Sequence, residues 1–364
     1  MLFRKKTPTV QKNLVEQTVK PSINDTSYVI AALADPILIL DRERVVKHAN
    51  PAALNLFGRV MVGRNIVQCM RQPNVIDAVE QVFASKLSWM GEVKFPAPVE
   101  RHLSLHVALI GDGEGVAITV RDTTLVKRTE EMHSDFVANV SHELRSPLSA
   151  LMGFIETLQG PAQDDREARE RFLNIMIQEA NRMARLIDDL LSLSRVQIQE
   201  HVVPDDDVNI VAILKNITDI LHMKADIRDM TLNLRCSEEA YWVKGDADQI
   251  TQVFQNLIDN AIKYGKPGTP VDVSVRSLER MPDKNVPAVA VDIVDHGEGI
   301  DENHIPRLTE RFYRIDKARS RTLGGTGLGL AIVKHIIMRH RGRLQIESKV
   351  GVGSQFTAIL PTKS

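Results

Sequence analysis

His142 stands in the segment Phe136–Leu148, beside Glu143 and one helical turn before Ser146. On a helix turning about 100° per residue it lies about 200° from both Val140 and Leu144. Those two belong to an apolar stripe of Met132, Phe136, Val140, Leu144, Leu148, Leu151, Ile155 and Leu158. The imidazole is therefore expected on the face away from the packing seam. A carboxylate beside it can orient the ring or take its proton, which makes the far nitrogen a better nucleophile. Pro147 falls inside the same pattern. It has no donor for the Glu143 carbonyl and clashes with it, so a kink is expected just after the histidine. By position alone, a solvated surface histidine is the plainer reading.

A second group lies in Asn256–Tyr264. Ile250, Val253, Phe254, Leu257, Ile258, Ala261 and Ile262 mark the buried face of a helix, and Asn256, Asn260 and Lys263 share another face. Amide oxygens at that spacing can complete the shell of a Mg2+ ion that keeps waters and takes most of its charge from nucleotide phosphates. Lys263 can meet a phosphate as a point charge. Alone, the group also fits a solvated polar face. In Val291–Ile300 an apolar strand ends at Asp295, ahead of Gly297 and Gly299. A buried carboxylate there can accept from a purine amino group while the glycines admit the ring. An ordinary Asp-Gly turn is the alternative.

The last group is Gly324, Gly325, Gly327 and Gly329, which lead into a helix from Ala331. A glycine-rich turn at a helix N-terminus cradles phosphate through its free N–H groups. A dinucleotide-binding reading fails, because an apolar strand should come first and Arg314–Thr322 is polar and basic. The cations of that stretch suit a mobile flap over a triphosphate. A Walker loop fails too, since no Gly-Lys-Ser/Thr follows.

The chain that must position these groups has 364 residues, 43% of them apolar, with 46 Lys+Arg against 47 Asp+Glu. That length suits two or three domains and that composition excludes wholesale disorder. The near-zero net charge gives no polycation, so no nucleic-acid partner is expected. Cys69 and Cys236 are far apart and outside any Cys-x-x-Cys pair, which argues against a disulfide scaffold and fits a reducing, cytoplasmic setting. His102 and His106 share a strand-like segment, where their spacing is no metal motif. No run approaches the roughly 20 apolar residues of a membrane span.

Residues 1–27 form a basic tail, read as a solvated extension or as a peripheral contact with an anionic membrane through Leu2, Phe3 and their basic neighbours. Residues 28–122 mix strands at Ile37–Leu40, Val45–His48, Arg101–Ile110 and Val116–Val120 with helices at Asn50–Phe57 and Asn74–Ala84. Gly111–Gly115 imitates a phosphate loop but reads as a hairpin turn. Residues 123–200 are two long helices, the second carrying Phe172, Ile175, Met176, Met183, Leu186, Ile187, Leu190 and Leu193 after a start at Asp165. One hairpin has only two stripes to bury, so the pattern predicts a homodimer joined in a four-helix bundle. A linker at 201–207 leads to an α/β unit at 208–364. Its helices are expected near 208–225, 247–264 and 327–340, and its strands near 271–277, 288–294, 343–348 and 354–360.

The histidine run, the asparagine run, the Asp295 glycines, the run around Phe312 and the second glycine run follow in that order. Over residues 125–362 this resembles the sensor histidine kinases of two-component systems, and residues 28–122 look like a PAS sensor domain. His304–Arg321 is similar in particular to the phosphate-regulon sensor kinases, which also carry a PAS domain ahead of the kinase. The resemblance implies a multidomain α+β chain: a PAS-like α/β domain, a dimerisation and phosphotransfer hairpin, and a Bergerat-type (GHKL) α/β sandwich that binds ATP. It implies that His142 is the phosphoacceptor and Glu143 its acid–base partner. Asn256 and Asn260 would serve Mg2+, Lys263 the phosphates and Tyr264 the nucleotide pocket. Asp295 would read adenine, with Gly297 and Gly299 shaping that pocket, Arg314 would approach the γ-phosphate, and Gly325, Gly327 and Gly329 would form the closing turn of a lid.

The same resemblance implies transfer of the phosphoryl group to an aspartate on the receiver domain of a response regulator. Ser146 stands where these kinases usually carry Thr or Asn to place the water that dephosphorylates the regulator. A hydroxyl is retained, so phosphatase activity is expected. Phosphate-regulon sensors usually have N-terminal membrane helices, and this sequence has none. The expectation is a cytoplasmic chain, free or at the inner membrane face, or one whose native start is missing. Two other functions compete. A catalytically silent ATP-binding scaffold is opposed by intact polar residues in all five segments, and a GHKL ATPase by the bundle histidine.

Overall fold

The computed structural model describes residues 23–58, 60–70, 72–95, 100–199, 202–237, 240–316 and 324–362. Most of the basic tail and the centre of the expected flap therefore lie outside the described residues. The chain divides into two compact units, Met1–Asp135 and Phe136–Ser364.

The first unit contains α1 (Ile23–Ala32), β1 (Ile37–Asp41), β2 (Val46–Ala49), α2 (Pro51–Phe57), α3 (Ile66–Cys69), α4 (Pro73–Ser85), β3 (Trp89–Phe95), β4 (Arg101–Ile110) and β5 (Gly115–Asp122). The strands form one antiparallel sheet in the order β2-β1-β5-β4-β3. Alternation sends Leu38, Leu40, Leu105, Val107, Ile118 and Val120 into a core shared with Val75, Val79 and Val82 of α4. The glycine-rich loop after Ile110 is the turn between β4 and β5, as expected of a hairpin. The edge strand β3, not expected from the sequence, places Val93 in the core and Trp89 and Phe95 against it.

Asn50 ties this unit together. Its side chain is fully buried. The Oδ1 accepts from the N–H of Ile37 at the start of β1 (3.0 Å) and of Ala53 in the first turn of α2 (2.9 Å). The Nδ2 reaches the carbonyls of Ile30 (3.3 Å), Leu33 (3.1 Å) and Asp35 (2.9 Å) around the end of α1.

The second unit starts within α5 (Thr124–Gln159), which forms an antiparallel hairpin with α6 (Arg166–Ile198). Asp165 caps α6 by accepting from the Ala168 N–H (2.9 Å), and Phe154 stacks on Phe172 with ring centroids 5.2 Å apart. α5 runs through Pro147 without a break, and that proline is buried. Then follow β6 (Asp206–Asn209), α7 (Ile210–Asp226), β7 (Thr231–Cys236), β8 (Trp242–Gly245), α8 (Ala247–Tyr264), β9 (Pro270–Leu278), β10 (Ala288–Asp295), α9 (Gly329–Arg339), β11 (Arg343–Lys349) and β12 (Gly353–Pro361).

Five of these strands make a mixed sheet in the order β11-β12-β10-β9-β7, with β7 parallel to β9. α7, α8 and α9 pack together and against the sheet. Val271, Val273, Val289, Val291 and Ile293 of the sheet share a core with Val253, Phe254, Leu257 and Ile258 of α8 and Ile332 and Ile336 of α9. The result is the expected two-layer sandwich. Leu186, Leu193 and Val196 of α6 join the same core, with Phe136 and Leu144 of α5 packed against it.

Asp206 and Asp207, read from sequence as linker, form β6 instead and pair with β8. Three successive carboxylates hide the strand pattern, while Lys244 of β8 binds Asp207 (3.0 Å) and Asp205 (3.4 Å). Leu148, Met152 and Ile155 of α5 and Leu173, Ile187 and Leu191 of α6 remain exposed on the single chain. Among the described residues, no helix is long and apolar enough to cross a membrane.

Asn50→Ala removes every bond of the buried side chain at once and leaves backbone groups of three elements unpaired. The expected loss is about 2–4 kcal/mol of local stability. Hydrogen–deuterium exchange checks it: amides of α1 and the first turn of α2 should exchange faster, while those of α8 stay as in the parent.

Candidate functional site

His142 is exposed on α5, and Ser146, one turn on, is exposed beside it. The packing seam predicted for α5 thus leaves the imidazole clear of the protein body. Glu143, the next residue, is half-buried. Its Oε2 lies 2.7 Å from Nη2 of Arg182 on α6 and 3.5 Å from Nη2 of Arg314, which follows the sandwich domain's short 3-10 turn at Ile305–Arg307. The carboxylate beside the histidine therefore bridges the hairpin and the sandwich.

On α8, Asn256, Asn260 and Lys263 are all half-buried on one side of the helix. Lys263 pairs with Asp259 at 2.6 Å, and Lys224 of α7 binds the same carboxylate. Burial alone would raise the Asp259 carboxyl, but the two ammonium groups more than offset it and hold its pKa below the usual Asp value. The amide of Asn256 faces the start of α9. A Cβ on Gly329 would lie 3.1 Å from Asn256 Oδ1, so a side chain there crowds the amide. Tyr264, at the end of α8, is partly exposed. Its carbonyl lies against Gly297, where a Cβ would come within 2.4 Å of it.

Asp295 ends β10 in a buried position. Burial pushes its carboxyl up, and the Gly297 N–H, donated to Oδ1 at 2.8 Å, and Ser354 pull against that rise without cancelling it. Gly299 adopts φ +70, and a Cβ there would meet the Lys349 carbonyl at 2.0 Å, so this turn admits only glycine. The strand end, the Gly297–Gly299 turn and the C-terminus of α8 thus come together, as the sequence reading requires for a purine pocket.

The second glycine run faces the hairpin. Thr326 donates to Asp189 Oδ2 of α6 (2.6 Å), and Arg185 Nη1 of α6 donates to the Gly324 carbonyl (3.2 Å). Burial raises the Asp189 carboxyl, against the Thr326 hydroxyl and the Lys263 and Arg185 cations. Phe312 adopts φ +61, unusual for a bulky side chain, and its N–H donates to the Gly327 carbonyl (2.8 Å). Its ring meets Phe136 of α5 at 6.0 Å, and Arg311 lies over the Phe136 ring at 5.1 Å. Lower down, Ser192 of α6 donates to Gln252 of α8 (2.8 Å).

Arg182, Arg185, Asp189 and Ser192 fall on one stripe of α6, and sequence reading did not single them out. Their spacing is legible as a helix face, but a polar stripe does not say what it will meet. Among the described residues, no group of three His, Cys, Asp or Glu is arranged to hold a metal. An ion bound here would draw on the Asn256 and Asn260 amides and on a nucleotide, a donor set that suits a hard cation keeping much of its hydration.

Three family models match the chain: a PAS domain over residues 26–88, a His Kinase A (phospho-acceptor) domain over 132–198, and the histidine kinase-, DNA gyrase B- and HSP90-like ATPase over 245–364. The phosphate regulon sensor protein PhoR of Pseudomonas aeruginosa is 37% identical over 90% of this chain, which spans 72% of that protein. The sensor protein kinase WalK of Staphylococcus epidermidis is 31% identical over 92% of this chain, which spans only 54% of it. The crystal structure of histidine kinase ThkA in complex with response regulator protein TrrA covers 93% of this chain and 98% of that one, with a TM-score of 0.51 at 22% identity, and so shares the fold. By these three domains and the likeness to the Pseudomonas sensor, the chain belongs to the PAS-containing sensor histidine kinases, enzymes that phosphorylate protein histidine.

Proposed function

We propose that this chain phosphorylates its own His142 from Mg·ATP and passes the phosphoryl group to an aspartate of a response regulator. The observation that carries the reading is the exposed imidazole beside a carboxylate that Arg314 of the ATP domain also contacts, at 3.5 Å. One ring nitrogen attacks the γ-phosphorus as its bond to the β-phosphate oxygen breaks, ADP leaves, and the proton on the other nitrogen passes to Glu143. Mg2+, held through Asn260 and Asn256, would neutralise phosphate charge. Arg314 and Lys263 stabilise the transferring group, so positioning and charge account for most of the catalysis.

Asp295 accepts from the adenine amino group, with Gly297, Gly299 and Tyr264 around the ring. Gly325, Gly327 and Gly329 close over the phosphates. The chain acts as a homodimer, and the exposed apolar face of α5 and α6 supports a four-helix bundle. Ser146, one turn below the histidine and open to solvent, orients a water for regulator dephosphorylation. The similarity to the Pseudomonas phosphate regulon sensor supports a role in phosphate-starvation signalling, and the ThkA complex supports a receiver domain docked on the hairpin near His142. The basic residues at the N-terminus supply a further contact with an anionic inner membrane face.

Incubation with γ-labelled ATP should give an acid-labile, alkali-stable protein label that His142→Gln abolishes. Phosphate release without the label would indicate a plain ATPase, and no turnover a scaffold. Asn260→Asp should abolish labelling by disturbing the metal shell, and near-normal labelling of this variant would remove Asn260 from it.

Asp295→Asn should weaken ATP binding by roughly 10- to 100-fold in equilibrium titrations, the value of a hydrogen bond to a charged group. The acceptor is the ionised carboxylate, so wild-type affinity falls as pH drops. Because burial raises this carboxyl, the fall should begin above the ordinary Asp value of 3.8. The same pH dependence in Asp295→Asn would show that another group is responsible.

A further inference from the structure

We infer that Arg182 is a positioning residue for phosphoryl transfer: it keeps the Glu143 carboxylate in place while Arg314 leaves that carboxylate for the terminal phosphate of the nucleotide. The inference rests on the function proposed above and assigns a role to a residue outside the nucleotide pocket and the histidine run.

Four side chains of alternating charge form a row. Glu179 Oε2 lies 3.6 Å from Arg182 Nη1, Arg182 Nη2 lies 2.7 Å from Glu143 Oε2, and the same oxygen lies 3.5 Å from Arg314 Nη2. All four are shielded, with side-chain exposures of 29%, 11%, 18% and 5% in that order. The two contacts of Glu143 are unequal. At 2.7 Å the bond to Arg182 is a charge-assisted hydrogen bond of full strength, whereas 3.5 Å to Arg314 is at the limit of one. Arg182 is also the guanidinium that cannot depart, because α6 holds it and Glu179 backs it one turn away. Arg314 belongs to the ATP domain.

A shielded guanidinium does not give up an anion unless another replaces it. A terminal phosphate carries more charge than a carboxylate and offers three oxygens to the planar fork of an arginine, so it is the natural replacement. When Arg314 moves to it, Glu143 loses its weaker partner and keeps its stronger one. The carboxylate therefore stays beside His142 and does not follow Arg314 toward the nucleotide. Without Arg182 the carboxylate loses its 2.7 Å partner, and Glu143 competes with the phosphate for Arg314.

The test is a double-mutant cycle in the full-length chain with Arg182→Met, Glu143→Gln and the pair, plus Arg182→Lys. Autophosphorylation is followed as initial rates over a range of ATP concentrations, and thermal midpoints verify that each variant is folded. Arg182→Met should lower kcat by about tenfold and raise KM for ATP. In the Glu143→Gln background the same substitution should change kcat by less than about twofold. Arg182→Lys, which keeps the cation, should recover most of kcat and remains informative if the methionine variant is poorly folded. Equal losses from Arg182→Met in both backgrounds, or a lysine variant no better than methionine, overturn the proposal while leaving the kinase reading intact. A wild-type chain that binds no ATP and acquires no label on His142 overturns both.

Discussion

A single carboxylate oxygen receiving two guanidiniums from different parts of the chain is the constraint on which the docked arrangement depends. Glu143 sits one residue from the exposed imidazole, so whatever fixes its carboxylate also fixes the chemistry offered to His142. The hairpin and the ATP domain are thereby joined at the residue next to His142, as well as through the apolar contacts of Leu186, Leu193 and Val196 further along α6.

That arrangement makes α6 a two-sided element. Arg182 grips Glu143 of α5, while Arg185, Asp189 and Ser192 reach the ATP domain at the Gly324 carbonyl, Thr326 and Gln252. Ile187 and Leu191, about 200° round the helix from Asp189, stay exposed on the side that a second copy would cover. The last three of these grips tie α6 to the second glycine run and to α8.

The sequence made some parts legible and hid others for physical reasons. α8 was readable because one face is wholly apolar and its polar residues recur at helical spacing. β10 was readable because it is buried on both sides and is apolar but for Asp292 up to its end at Asp295. His142 could be placed on the outer face from the stripe alone. β3 and β7 were not singled out: they are short edge strands whose alternating apolar residues, Trp89, Val93 and Phe95 in one and Leu232 and Leu234 in the other, are mostly only partly buried. β6 was concealed by its aspartates, which a lysine on the neighbouring strand neutralises. The roles of Arg182 and Asp189 were not legible, since periodicity identifies the face of a helix and gives no sign of which distant segment will lie against it.

Phe312 carries a further consequence. A bulky residue in the left-handed region costs about 1–2 kcal/mol relative to ordinary backbone, and here the Gly327 carbonyl and the Phe136 ring hold it there. One of those two restraints comes from the hairpin and the other from the glycine run, so the backbone of this residue is set by both parts of the chain at once.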